Sequence, residues 1–218
     1  MPRIIDILLS LLLLLILLPF FIPIIVILLL TGEHRVFYLQ TRVGYKNKDF
    51  KIIKFATMLS NSANMGTGSL TLKNDPRVLP FGSFLRKTKI NELPQILNII
   101  IGDLSIVGPR PQMQVDFEKY SDDVQGKIYN VRPGLTGIGS IIFRDEESLI
   151  TLAAENENPH DFYKRVIAPY KGELEMWYQD HNTFFLDLQL IFLTAWVIII
   201  PDSKLYEKWF KDLPKRNF

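Results

Sequence analysis

KTKINELPQILNIII, residues 87–101, is the stretch on which the reading of this chain turns. Its charged head gives way at Asn91-Glu92-Leu93-Pro94 to a largely apolar run that reads as a helix, and Gly102 follows as a stop. Asn91 is a good helix N-cap, worth about 1 kcal/mol over Ala. Glu92 then falls in the first turn, where the helix dipole favours negative charge, and Pro94 is tolerated because first-turn amides have no partner within the helix. As a structural device this start is self-sufficient. It is also a place where a phosphate can bind, because unpaired amides and the dipole both favour an anion.

Outward from this stretch the pattern is mixed. RVFYLQTRVGYKNKDFKIIKFATM, residues 35–58, has short alternating apolar runs around a Tyr-Lys-Asn-Lys-Asp turn and predicts a β-hairpin. Residues 59–80 are rich in Ser, Asn, Gly and Thr and predict a loop. Helices are expected over 82–89 and 92–101, then a short extended run at 103–112 stopped by prolines, then a helix over 113–129. Residues 131–148 predict a turn, a strand and an acidic cluster, and the remainder is mostly helical. The expected fold class is therefore α/β: a mostly helical small domain with a short β-hairpin.

Residues 7–30, ILLSLLLLLILLPFFIPIIVILLL, carry no charge. A straight helix of this length would cross a bilayer core, which needs about 20 residues. The run is too long for a signal peptide, and no small-residue cleavage site follows it. Pro19 and Pro23 each remove a backbone donor and crowd the carbonyl four residues back, leaving halves that are each too short to cross about 30 Å. A kinked span and a helix that breaks and returns to the same side both fit these residues. Flanking charge does not choose, with Arg3 on one side and His34 and Arg35 on the other. A second apolar stretch, residues 183–200, contains Asp187 and Gln189 and is flanked by aromatics, which suits an interface or core helix better than a span.

Composition closes off several function classes. A formal net charge of +2 offers no strongly basic face, so nucleic acid is not an expected partner. The chain has no cysteine, which excludes disulfides, thiolate nucleophiles and cysteine-ligated zinc. Its three histidines, His34, His160 and His181, form no ligand-spaced pair. Four arginines near turns stand out instead: Arg77 in NDPRV, Arg86 just before the NELP turn, Arg110 in GPRP and Arg132 in VRPG. Planar guanidinium groups on rigid loops suit phosphate oxygens, and together with Glu92 they suggest a diphosphate cradle.

The order IKFATM … NDPRVLPFGSFLRKTKINELPQILNIIIGDLSIVGPRPQ … YNVRPGLTG resembles the bacterial sugar transferases, the monotopic phosphoglycosyl transferases. The likeness runs from RIID at residue 3 to FFLDLQL at residue 184. It implies transfer of a phospho-sugar from a UDP-sugar to a polyprenyl phosphate, usually undecaprenyl phosphate, with release of UMP. That step would initiate a surface glycan on the cytoplasmic face of the bacterial inner membrane. The implied partners are UDP-sugar, undecaprenyl phosphate and membrane lipid, with self-association left open. The implied organisation is a re-entrant hydrophobic helix over 1–32, broken at Pro19, and a catalytic domain over 33–218 with an interface helix near 184–200.

The resemblance also assigns roles. A family Asp-Glu dyad opens the ELPQ helix: the Asp attacks the β-phosphate, and Mg²⁺ offsets the diphosphate charge. By position the Asp falls on Asn91 and the Glu on Glu92. Lys54, Arg86 and Arg110 fall on phosphate-binding positions, and Arg77, Arg132 and Arg144 complete the expected substrate-binding set. Three departures follow. Leu18 stands where Ser often precedes the proline, Ala56 where a base is common, and Asn91 where the nucleophile belongs. An amide is a poor nucleophile and a weak Mg²⁺ ligand. The chain could be an inactive protein of the same fold that binds nucleotide sugar or prenyl phosphate, or Glu92 could itself attack. The third and favoured expectation is that the acids of FRDEE, residues 143–147, replace the lost charge, although three acids in a row ordinarily mark an exposed helix start. Asp145 and Glu146 then join Glu92 and Asn91 as catalytic candidates, and Glu92 and Asp145 become the candidate Mg²⁺ ligands.

Overall fold

The computed structural model describes all residues, Met1–Phe218. It opens with α1 (Arg3–Leu30), a helix that runs without interruption through Pro19 and Pro23. The break expected at Pro19 is therefore absent. Both prolines lie on the exposed side of α1, where a proline ring displaces no packed neighbour. The inward positions are Asp6, Ser10, Leu14, Leu17, Phe21, Ile24, Ile25 and Leu28. Their three- and four-residue spacing is one continuous helical stripe.

Both ends of α1 are tied to the same domain. Near its start Asp6 accepts from the Ser105 hydroxyl at 2.8 Å and from the Ile106 N–H at 3.1 Å. Arg3 donates to the Leu104 carbonyl at 3.1 Å and also to that of Ile99. Near its end the Phe21 and Phe55 rings meet edge-on with centroids 5.3 Å apart. Phe21, Leu28, Phe55 and Leu85 form a small buried cluster there.

The hairpin forms as expected, from β1 (Phe37–Val43) and β2 (Asp49–Phe55), with Tyr38 opposite Lys54 and Gln40 opposite Ile52. Tyr38, Gln40 and Arg42 alternate with the exposed Phe37, Leu39 and Thr41. After the loop come α2 (Pro80–Lys87) and α3 (Gln95–Ile101), joined through a single 3₁₀ turn, Ile90–Glu92. The N-cap role expected of Asn91 is not realised. Pro94 occupies that position, no side chain caps α3, and Asn91 sits buried inside the preceding turn. Gly102, at φ 115°, ends α3 as expected.

Two short parallel strands follow, β3 (Ser105–Val107) and β4 (Gly134–Thr136). A Cβ on Gly134 would lie 2.1 Å from the Gly108 nitrogen, so glycine lets the GPRP and VRPG backbones touch. Between the strands, the expected helix over 113–129 is divided into α4 (Gln114–Phe117) and α5 (Asp122–Lys127). Of residues 131–148, expected as turn, strand and acidic cluster, only Gly134–Thr136 is strand, and Ile138–Ile142 is the short helix α6. Ile138, Ile141 and Ile142 are all buried, and that i, i+3, i+4 spacing overrides strand propensity.

The remainder is helical: α7 (Glu146–Ala153), then α8 (Pro159–Phe162) continuing through a π turn, Tyr163–Ile167, into α9 (Ala168–His181), then α10 (Phe184–Ile199) and α11 (Leu205–Trp209). The main core packs α6, α9 and α10 around Ile138, Ile167, Leu174, Leu190 and Leu193. Asp187, fully buried on α10, accepts from the Tyr178 hydroxyl at 2.8 Å. The opposite side of α10 leaves Phe185, Leu188, Phe192 and Ile199 exposed. At about 1.5 Å per residue its 16 residues reach about 24 Å, short of a bilayer core.

Candidate active site

One asparagine fixes the NELP turn to the hairpin. Asn98 on α3 accepts from the Ile53 N–H at 2.9 Å and donates to the Lys51 carbonyl at 2.8 Å. That docking brings the Lys54 ammonium 3.9 Å from the Glu92 carboxylate. The GPRP loop arrives from the other side, pinned by Tyr129. Its hydroxyl donates to the Arg110 carbonyl at 2.9 Å and accepts from the Gln112 N–H at 2.9 Å. Arg110 then grips Glu92 with both terminal nitrogens, at 2.8 and 3.4 Å.

Charge within this cluster is finely balanced. Burial alone would raise the Glu92 carboxyl, but Arg110, Lys54 and Lys89 outweigh it and hold the group well below the usual carboxylate range. Burial pushes Lys54 down to about 7; Glu92 opposes that shift, and Arg42, Arg110 and Arg86 add to it. Behind the site, Glu175 on α9 accepts from the Arg110 N–H at 3.4 Å, and burial raises its carboxyl to about 7.

These groups face a cavity of about 1050 Å³ whose walls include Arg42, Lys54, Arg86, Lys89, Asn91, Glu92, Arg110 and Arg144. Asn91 is buried at its edge, and its Oδ1 has no hydrogen-bond partner. Glu146 and Glu147 line the same cavity, so part of the acidic run does face the NELP turn. Lys171 holds both Glu146 oxygens at 2.8 Å, and Glu147 lies 4.0 Å from Arg86.

Three candidates are elsewhere. Asp145 points outward to Arg216 at 3.0 Å and lies outside the cavity wall. Arg77 is buried in the 62–75 loop, where Asp75 and the carbonyls of Ser62, Met65, Gly68 and Leu70 occupy its donors. It organises that loop and does not line the cavity. Arg132 is exposed, donating to the Gly102 carbonyl at 3.0 Å and stacking on Tyr45 at 5.1 Å. Conversely, Arg42, Lys89 and Lys171 were not foreseen as cavity residues. The period-two pattern of Tyr38, Gln40 and Arg42 in β1 could have revealed Arg42; Lys171 lies 25 residues from its partner Glu146 and leaves no local signal.

No group of three or more His, Cys, Asp or Glu side chains is placed to hold a metal. With Asp145 turned away, the expected Glu92–Asp145 pair does not form a site. What remains fits a divalent ion only as one carboxylate, Glu92, shared with substrate oxygens and water.

Residues 1–201 match the bacterial sugar transferase family. The chain is 33% identical over 168 residues to an uncharacterized sugar transferase, EpsL, of Bacillus subtilis, covering 77% of this chain and 72% of that protein. It is 33% identical over 180 residues to the undecaprenyl-phosphate galactose phosphotransferase of Salmonella typhimurium, covering 76% of this chain and 34% of that protein. It is also 33% identical over 162 residues to the UDP-glucose:undecaprenyl-phosphate glucose-1-phosphate transferase of Escherichia coli, covering 73% and 32%. The match thus spans most of the Bacillus protein and about a third of the other two. On its match across 1–201, and on the Bacillus likeness, the chain belongs to the bacterial sugar transferase family.

Proposed function

We propose that this protein transfers a sugar 1-phosphate from a UDP-sugar to undecaprenyl phosphate, releasing UMP, as the first step of a bacterial surface glycan. The observation that carries the reading is the ionised Glu92 carboxylate held between Arg110 and Lys54 in a cavity walled by cations. Names of the Salmonella and Escherichia relatives supply the acceptor class. The cations suit a diphosphate, and rigid donors aimed at developing charge are an effective form of catalysis.

In this reading a Glu92 oxygen attacks the β-phosphorus. The bond from that phosphorus to the bridging oxygen breaks, and UMP leaves with the electron pair. A phosphate oxygen of the acceptor then attacks the same phosphorus and releases the Glu92 carboxylate. Glu92 is preferred over the acidic run because it lies among the cations Lys54 and Arg110 that would receive the diphosphate, whereas Asp145 lies outside the cavity. Asn91 fills the space of the family acid without its charge. Of the cavity carboxylates, Glu92 would hold Mg²⁺ together with donor oxygens, and the ion would supply positive charge to offset the diphosphate.

The protein would lie on the cytoplasmic face of the inner membrane without crossing it. A spanning α1, about 42 Å long if straight, would carry Arg3 away from the domain that holds Phe21. Arg3 and Asp6 contact that same domain instead. The outward face of α1, with Phe84, Phe185 and Phe192, supplies an apolar surface for the headgroup boundary.

Incubation with a panel of UDP-sugars and Mg²⁺ without acceptor, followed by intact mass and peptide mapping, tests the assignment. A sugar-phosphate adduct on Glu92 is expected, absent in Glu92→Gln and retained in Glu147→Gln. An adduct on Glu147 would move the nucleophile. No adduct, with one gained by Asn91→Asp, would mark a binding protein.

A further inference from the structure

A second cavity, of about 530 Å³, adjoins the catalytic one. Its walls include Leu28 at the end of α1, Phe37 and Leu39 of β1, Ala56, and Phe81 of α2. Tyr38, Met58, Leu79 and Pro80 line both cavities, so the two adjoin along these residues. Its charged members, Glu33 and Arg35, are exposed, and Glu33 is occupied by the Ser60 N–H at 2.6 Å. Phe37 and Leu39 are 45% and 56% exposed, and Leu28 brings the end of α1 to the groove. Ala56 offers only a methyl group to the groove.

We propose that this groove holds the isoprene units nearest the phosphate of the polyprenyl acceptor. The inference rests on the acceptor class assigned above and adds the place where its chain runs. An acceptor whose phosphate must reach Glu92 needs an apolar path from a cation-lined cavity to the bilayer. This groove adjoins that cavity and has exposed apolar walls, and its volume lies within the range of about 300–1,000 Å³ usual for ligand sites. A phosphate monoester matches the cationic end, and an unsaturated hydrocarbon matches the Phe, Leu and Ala walls. A zwitterionic phospholipid matches only the second.

The experiment uses the full protein in nanodiscs and a polyprenyl phosphate with a photoreactive diazirine in its first isoprene unit. Label is expected on peptides covering 28–39 and 79–82, displaced by unlabelled undecaprenyl phosphate and not by phospholipid. Leu39→Asp should reduce the label and raise the KM for undecaprenyl phosphate about tenfold or more, the loss expected when a charge replaces one Leu-sized apolar contact. The same variant should leave the KM for UDP-sugar within about twofold. Phe37→Asp, on the same exposed side of β1, should act the same way, with melting temperature confirming that both variants fold. Label elsewhere, equal displacement by phospholipid, or an equal rise in the KM for UDP-sugar would overturn the groove. Label in the groove without acceptor-dependent UMP release would instead overturn the transferase reading.

Discussion

Arg110 and Glu92 are 18 residues apart in sequence, and their side chains meet at 2.8 Å. Through this contact the GPRP loop meets the NELP turn, and Lys54 approaches the same carboxylate from the hairpin. The contact also keeps Glu92 ionised despite its burial.

Arg110→Ala should therefore lower kcat/KM for the UDP-sugar by about a hundredfold or more, the scale of removing one donor from a preorganised anion site. Arg110→Lys should recover part of this loss, because charge returns without the bidentate fork. UMP release measured beside melting temperature separates this from unfolding. Equal activity in Ala and Lys variants would contradict it.

Lys54, lowered to about 7 chiefly by burial, supplies a pH signature. Its protonated form grips phosphate, so kcat/KM should fall as pH rises through about 7. Lys54→Arg should carry the activity to higher pH, because a guanidinium stays charged. The profile of kcat/KM between pH 6 and 9 checks both, and an unchanged alkaline limb in Lys54→Arg would refute the assignment.

Glu175 bears on stability. Its folded carboxyl is raised to about 7 by burial, above its unfolded value of about 4.3. Between these values the folded protein binds more protons than the unfolded chain, so this group's contribution is full below about 4.3 and is lost as pH rises through 7. Glu175→Gln should thus gain in melting temperature relative to the parent as pH goes from 5 to 8. A difference independent of pH would mean that the carboxyl is ionised throughout.

Arg77→Ala should destabilise by about 3–5 kcal/mol, because it leaves Asp75 buried without its partner. Per folded molecule, activity should hold at temperatures where the variant remains native. Arg132→Ala and Asp145→Asn, both at exposed contacts, should change neither stability nor kcat/KM by much. Denaturant melts with UMP release report on all three, and a large activity loss in Arg132→Ala would return it to the site.

The sequence was informative where function depends on local spacing. The hairpin follows from its turn, Gly102 ends its helix, and Lys54, Glu92, Arg86 and Arg110 converge on one cavity as their motifs implied. It was uninformative where a side chain chooses between distant partners. Arg77 and Arg110 both sit beside prolines, yet carbonyls of the 62–70 loop capture the first and a carboxylate the second. Adjacent acids likewise diverge, Asp145 to Arg216 and Glu146 to Lys171. The prolines of α1 gave no sign of which side would face outward, and that orientation lets the helix continue.

The most direct test of the central claim is UMP release by the purified protein in nanodiscs with Mg²⁺, undecaprenyl phosphate and a panel of UDP-sugars. Acceptor-dependent release with at least one donor, abolished by Glu92→Gln, is the predicted result. Silence with every donor, together with release by Asn91→Asp, would contradict it and show that the chain has lost its nucleophile.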